Sequence, residues 1–341
     1  MDERKDLFSS CFSLENLIIA ANKCYSGVKW KRQPQKFMNN ISTNCLKLQR
    51  ELFSGSYKSS KTKRFFVNER GKIRNILPVA YRDRVAQRCF CDVVLEPIAE
   101  QYAIYDCSAC IKGRGLSFAS DRVKAFAEAA DMDSYVVHFD FSDYFHSIKL
   151  DKMLQLLDKL VDGDAKSLWF VEESLKSDLY GLELGSHVAQ LSAAIYPTEL
   201  DRAIQSTEGV TGYHRYMDDG IIFCQTLETA QYLKTFVQEQ SKKIGLIINP
   251  KKTFYNKITH PFLFCKIRYT KLADGSVRRN VRKPQTRYSM KHIKNVIRKS
   301  KTEPSIDLVP VHASFYGYLK RGDANLERLL DKAFEDCDLS S

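Results

Sequence analysis

Apolar residues recur at helical spacing over 13–26 (SLENLIIAANKCYS), which predicts an amphipathic helix. Ser13 is its N-cap, and Glu15 in the first turn suits the positive end of the helix dipole. Asn16 stands where a capping box would need Glu or Gln. A basic loop (Lys29, Lys31, Arg32, with Trp30 between) leads to a second amphipathic helix over about 35–54. Residues 63–79 alternate, predicting two short strands around the turn Asn68-Glu69-Arg70-Gly71. From Tyr81 the period returns to helical and runs to about Ala99. A glycine-flanked basic turn, Lys112-Gly113-Arg114-Gly115, precedes a further helix.

The second half opens on Ser134-Tyr135-Val136-Val137-His138-Phe139, a β-rich run that ends at Asp140. Helices are predicted over 151–178, from about 187 to 205, and over 227–244. Between the last two lies GYHRYMDDGIIFC, Gly212 to Cys224. Its flanks, Tyr213 to Met217 and Gly220 to Phe223, read as paired strands. Gly245 to Thr253 reads as a short strand and turn. From 266 to 301 there are 13 Lys or Arg against the single acid Asp274. A helix over 289–300, a segment at Pro304–Pro310 and a final pair of helices to Cys337 complete the chain, with no internal repeat.

At 341 residues, 44% of them apolar, the chain can build two or three subdomains around sizeable cores. A net charge of +12 suits a polyanionic partner such as nucleic acid. No apolar run approaches the ~18–20 residues of a membrane span. The N-terminal MDERKDLFSS lacks the apolar core of a signal peptide, so a cytoplasmic location and no membrane partner are expected. The ten cysteines are scattered through apolar stretches, as reduced buried thiols are. Cys89-x-Cys91 and Cys107-x-x-Cys110 make weak zinc candidates, since the first pair lies in a predicted helix and no His-rich partner follows.

The chemistry concentrates at the Gly212–Cys224 hairpin. Asp218 and Asp219 lie side by side at its tip, where like charges repel. Divalent cations are the natural compensation, and Asp140, at the end of another apolar strand, supplies a third carboxylate. Three such acids can hold two Mg²⁺ ions roughly 3.5–4 Å apart, the arrangement used by polymerases.

These segments resemble two motifs of reverse transcriptases: Asp140 with its aromatic five positions on (Phe145), and the Tyr-Met-Asp-Asp box at Tyr216–Asp219. The stretch GKIRNILPVAYRDRVAQRCFCDVVLEPIAE resembles the fingers of group II intron, retron and diversity-generating enzymes. The resemblance covers about residues 13 to 330 and implies an α+β right-hand polymerase fold, with an antiparallel palm sheet packed on helices. Fingers would run to about 130, the palm over 131–258, and primer grip and thumb over 259–341. The implied activity is RNA-directed DNA synthesis with Mg²⁺, or Mn²⁺ in its place.

The resemblance also implies roles. Asp140 and Asp218 would bridge both metals, joined by Asp219 and the Phe141 carbonyl. Phe145 would exclude a 2′-hydroxyl, selecting deoxynucleotides. Arg74, assisted by Lys63 or Arg64, would grip the triphosphate. Lys252, with Lys251 as its fallback, would approach the leaving pyrophosphate. In GLELGSHVAQ, Gly181, Gly185 and Ser186 would lie against the new base pair and template, with Gln190 close by. On the 289–300 helix, Lys291, Lys294 and Arg298 share one face that could track a template–product duplex.

Leu184 stands where retroviral enzymes carry glutamine and diversity-generating enzymes an aliphatic residue, which implies copying that is error-prone at template adenines. YDCSACIKGRG and HASFYGYLKRGDANLERLL resemble the same subgroup. Glu183 departs from its usual proline, Ala189 from its usual serine, and FLFCKI lacks the glycine expected after Phe-Leu. The partners implied are template RNA, cDNA product, deoxynucleotides and a small basic accessory protein. No RNase H, integrase or endonuclease domain is expected within these 341 residues. A retron or phage-defence enzyme, and an RNA-binding protein that kept the fold without catalysis, are the alternatives.

Overall fold

The computed structural model describes residues 7–335 apart from 70, 71, 178–180, 282, 304–306, 321 and 323–326. The chain divides into two compact units. The first draws on residues up to Gly113, on Phe141–Ala203 and on Phe236–Asn249; the second on Arg114–Asp140, Ile204–Thr235 and the chain from Pro250.

The first unit is mainly helical. After a short helix, Leu7–Cys11, the helix Leu14–Ser26 is capped as the sequence predicts: Ser13 Oγ accepts the Asn16 N–H at 3.2 Å. The helix expected over 35–54 is two helices, Arg32–Met38 and Ile41–Phe53, broken at Asn39-Asn40. Asn44 closes the break by donating to the Phe37 carbonyl at 2.8 Å. Strands β1 (Phe65–Glu69) and β2 (Lys72–Ile76) pair antiparallel, with Val67 opposite Arg74. Arg70 and Gly71 of the expected turn lie outside the described residues.

The helix from Tyr81 changes pitch. Tyr81–Phe90 is α-helical, Cys91–Leu95 is a π turn, and Glu96–Tyr102 is α-helical again. Pro97 has no N–H to give an α-helical bond and its ring crowds the preceding turn, so a wider turn before it relieves both. Two other long helices are also divided. Leu150–Leu160 and Ala165–Leu175 are separated by Asp162 and Gly163, both at positive φ (53° and 73°). Asp164 then caps the second, accepting the Lys166 and Ser167 N–H groups at 3.1 and 3.4 Å. His187–Ile195 and Thr198–Gln205 are separated around Pro197, which cannot continue the ladder. An aromatic cluster fills the unit's core: ring centroids lie 4.9 Å apart for Phe8–Phe12 and Phe12–Phe170, and 5.0 Å for Phe90–Phe170.

The second unit holds the principal sheet: β3 (Tyr135–Asp140), β4 (Val210–Tyr216), β5 (Asp219–Cys224) and β6 (Phe254–Lys257). Its order is β4-β5-β3-β6, antiparallel throughout. β3 is interior, which is why Val136, Val137 and Phe139 are all buried and its apolar run does not alternate. Helix Leu116–Ala129 packs Ala119, Val123 and Ala127 into the same core as Val136, Ile221 and Phe223. A second sheet, β7 (Phe262–Phe264), β8 (Ile267–Lys271) and β9 (Val277–Val281), was not foreseen from the sequence. In β8, Ile267 and Tyr269 are buried while Arg268 between them is exposed. Helices Lys283–Ser300, Val309–Leu319 and Glu327–Phe334 share a small core of Ile293, Leu319, Leu330 and Phe334. The predicted helix over 289–300 thus begins earlier, and Cys337 lies outside the described residues. The α+β class with an antiparallel sheet packed on helix is as expected. No helix among the described residues is long and apolar enough to cross a membrane.

Candidate active site

The sheet register assembles the acids. Asp140, the last residue of β3, pairs with Asp219, the first of β5, and Asp219 pairs with Tyr216 of β4. The turn is therefore Met217-Asp218, and Asp219 already belongs to a strand rather than to the tip. Met217 sits at φ 54°, a region costing an L-residue about 1–2 kcal/mol. Arg215, fully buried one turn-width away, donates from Nη1 to the Met217 carbonyl at 3.1 Å and supports that strained backbone. Below the turn, a Cβ on Gly220 would lie 2.2 Å from the Phe139 ring, so only glycine lets β5 lie flat against β3 there.

Asp140 is buried, with 7% exposure, while Asp218 and Asp219 are half-buried. Burial, then the charges of Asp218 and Asp140, push the Asp219 carboxyl up to about 7; Lys252 and a hydrogen bond from the Cys265 N–H pull the other way. Lys252 Nζ lies 2.6 Å from Asp140 Oδ2. Burial lowers the Lys252 pKa, but the hydrogen bond to Asp140 and the three carboxylates outweigh it and raise it.

Three carboxylates against one ammonium leave a surplus of negative charge, and hard oxygen donors of this kind suit Mg²⁺. Among the described residues, no group of three or more His, Cys, Asp or Glu is already gathered as a metal cage. With Lys252 bonded to Asp140, the site holds an internal cation in part compensation. The donor chemistry fits divalent ions, with the carboxylates still to close around them.

Cys265 was missed by sequence reasoning. Phe264 pairs with Ile267, so Cys265-Lys266 forms a two-residue turn, and both residues have positive φ (47° and 68°). Such turns favour Asn-Gly. FLFCKI lacks glycine, yet adopts the backbone that glycine would favour, and the Cys265 N–H reaches the Asp219 carboxylate.

The first unit places the other candidates. Phe145 lies in the short helix Tyr144–Ser147, half-buried, with its ring edge-on to Tyr144 at 5.8 Å. Phe141 is buried and bridges to Ile248, and Ser142 N–H donates to the Ile247 carbonyl at 2.7 Å. Gly181 (φ 82°) presses on the His146 carbonyl, 2.2 Å from where a Cβ would stand. Leu182 N–H donates to the Phe145 carbonyl at 2.9 Å, and Leu77 N–H to the Leu184 carbonyl at 3.1 Å. Gly185 (φ 125°) leaves no room for a Cβ against the Leu77 carbonyl, 2.3 Å away. The first unit thus brings Leu184 to the foot of the β1–β2 hairpin.

Arg74 is half-buried on β2, and Lys63 is exposed. Arg64 is engaged: its Nη1 lies 2.7 Å from Glu183 Oε2. Ser186 Oγ accepts the Ala189 N–H at 3.2 Å, capping helix His187–Ile195, and lies 3.1 Å from Gln87 Oε1. Gln190 lines a cleft of about 400 Å³ with Lys23, Arg84 and Arg88. Lys291, Lys294 and Arg298 are exposed on helix Lys283–Ser300, while Ile293 on its other side is buried.

A family model described as "Reverse transcriptase (RNA-dependent DNA polymerase)" matches residues 58–267. No curated protein matches the chain. Among solved structures, apo telomerase from Candida tropicalis is similar at 11% identity and a TM-score of 0.47; the match covers 62% of this chain and 47% of that one. The chain therefore spans less than half the length of that relative.

Proposed function

The chain belongs to the reverse transcriptase (RNA-dependent DNA polymerase) family, and we propose that it copies a template RNA into cDNA from deoxynucleotides. The observation that carries this reading is the register Asp140↔Asp219 with Asp218 adjacent, which gathers surplus negative charge at two strand ends. Asp140, Asp218, Asp219 and the Phe141 carbonyl would hold two Mg²⁺ or Mn²⁺ ions. Bound there, the ions supply activation of the primer 3′-hydroxyl and neutralisation of the triphosphate.

The chain's own residues do the rest. Lys252, whose Nζ stands 2.6 Å from Asp140 Oδ2, would supply the ammonium that donates a proton to the departing pyrophosphate. Arg74 and Lys63 hold the triphosphate, and half-buried Phe145 closes the space a 2′-hydroxyl would need. Gly181, Gly185, Ser186 and Gln190 border the template and the new base pair, and Lys291, Lys294 and Arg298 follow the duplex backbone. Fingers to 130, palm over 131–258 and thumb from 259 are part of this reading, as is a cytoplasmic setting.

Within the family, we place the chain among diversity-generating retroelements, working with a small basic accessory protein. Leu184 supports this, because an aliphatic side chain beside the new pair leaves no polar group unpaired by a wrong base. The test is deoxynucleotide incorporation on a primed RNA with Mg²⁺, with Asp218→Asn as control and the cDNA sequenced. We expect synthesis that the substitution abolishes, with errors concentrated at template adenines that Leu184→Gln reduces. Rare, evenly spread errors would point instead to a retron or defence enzyme. Synthesis surviving Asp218→Asn would overturn the active-site assignment.

A further inference from the structure

One buried ion pair lies apart from the acids. Arg64, the residue before β1, puts Nη1 at 2.7 Å from Glu183 Oε2, with side-chain exposures of only 19% and 6%. Ser177 Oγ donates to the other carboxylate oxygen at 2.5 Å, and Arg64 Nη2 donates to that hydroxyl at 3.2 Å. The three side chains close a ring in which each bonds the other two. Burial alone would raise the Glu183 pKa, but hydrogen bonds from Arg64 and Ser177, with the Arg64 charge, hold it below its ordinary value. The ring therefore favours the charged carboxylate.

The ring sits at a junction. Glu183 lies in the loop Gly181–Gly185, which is fastened to Phe145 through Leu182 N–H and to Leu77, just past β2, through the Leu184 carbonyl. Arg64 and Leu77 flank the two ends of the β1–β2 hairpin that carries Arg74. The hairpin is thus tied to one loop at both its feet, once by backbone and once by charge. Glu183 stands where the resembled enzymes usually carry proline, which could not make the charged tie.

We propose that the Arg64–Glu183–Ser177 ring is a positioning device that couples the β1–β2 hairpin to the loop carrying Leu184, and so sets how tightly and how selectively a nucleotide is held. Glu183 and Arg64 are positioning residues. Arg64 acts through Glu183 rather than on the triphosphate. The kinetic part rests on the polymerase reading; the mechanical coupling does not.

The experiment therefore has two arms, on Glu183→Gln, Arg64→Lys and the exchanged pair R64E/E183R, each first shown to be folded by its thermal transition. In the first arm, amide hydrogen exchange is followed without substrate. We expect the Leu77 and Leu182 amides to exchange at least about tenfold faster in both single variants and to recover in the exchanged pair. Unchanged protection at Leu77 would overturn the coupling, whether or not the protein polymerises. In the second arm, we expect KM for deoxynucleotide to rise several-fold in Glu183→Gln with kcat nearly kept, and the preference over ribonucleotide to fall. A fall in kcat at unchanged KM and preference would overturn the positioning role. Wild-type protein that makes no DNA would count against the polymerase reading, and the exchange arm would still decide the coupling.

Discussion

Lys252 Nζ lies 2.6 Å from Oδ2 of Asp140, the most buried of the three active-site acids. An ammonium in that place competes with a divalent ion for the same oxygen. Replacing it should therefore tighten ion binding while slowing synthesis. We expect Lys252→Met to bind Mn²⁺ more tightly in a calorimetric titration and to lose roughly 10²-fold in incorporation rate, the scale of a lost general acid. Unchanged Mn²⁺ affinity would show that the lysine does not guard the site.

The proton on Asp219 makes stability depend on pH. Its carboxyl titrates at about 7 in the folded chain, against about 3.9 for an unperturbed aspartate. The native state therefore holds a proton that the unfolded chain releases, and stability falls as pH rises from about 4 to about 7, levelling above that. We expect metal-free wild type to lose melting temperature across that window, and Asp219→Asn to lose less. Mg²⁺ should restore stability above pH 7 and do little near pH 5. Parallel curves for the two proteins would contradict the assignment.

Gly220 is required by Phe139. A Cβ there meets the ring at 2.2 Å, and both residues lie in the sheet interior. Gly220→Ala should destabilise by about 1–3 kcal/mol, the range for overpacked cores. Adding Phe139→Leu should recover part of the loss in chemical denaturation. Full stability of the single variant would mean that β5 can move away from β3.

The Cys265-Lys266 turn carries two left-handed L-residues. Replacing the pair by Asn-Gly suits that backbone and keeps the N–H that reaches Asp219. The gain is partly offset by the greater freedom of glycine in the unfolded chain. We expect a net stabilisation of up to about 1 kcal/mol with the Asp219 titration unmoved, as read by thermal melts at several pH values. A destabilised variant would show that the Cys265 or Lys266 side chain contributes more than the strain costs.

What was legible in the sequence follows from how local each signal is. Asp140 and the Asp218-Asp219 pair were readable because each ends or starts an apolar run that only a buried strand explains. Their exact register was not, since the Met217-Asp218 turn lacks the glycine that marks such turns. The helix breaks at Asn39-Asn40, Asp162-Gly163 and Pro197 had local signals, overridden by the apolar periodicity on both sides. The β8–β9 hairpin was hidden by its charge: basic residues mask an alternation of Ile267, Tyr269 and their neighbours. The Arg64–Glu183 pair spans 119 positions, and nothing in either local sequence names the other.

The order of the principal sheet also governs when this protein can fold. β3 ends at residue 140, but its neighbours β5 and β6 begin at residues 219 and 254. On the ribosome, this apolar strand has both edges unpaired until β5 begins at residue 219, and one edge still open until β6 begins at residue 254. Pairings so distant along the chain are slow to form. During synthesis, Tyr135–Phe139 is thus the segment most exposed to mispairing with another copy, and the one a chaperone would have most reason to cover.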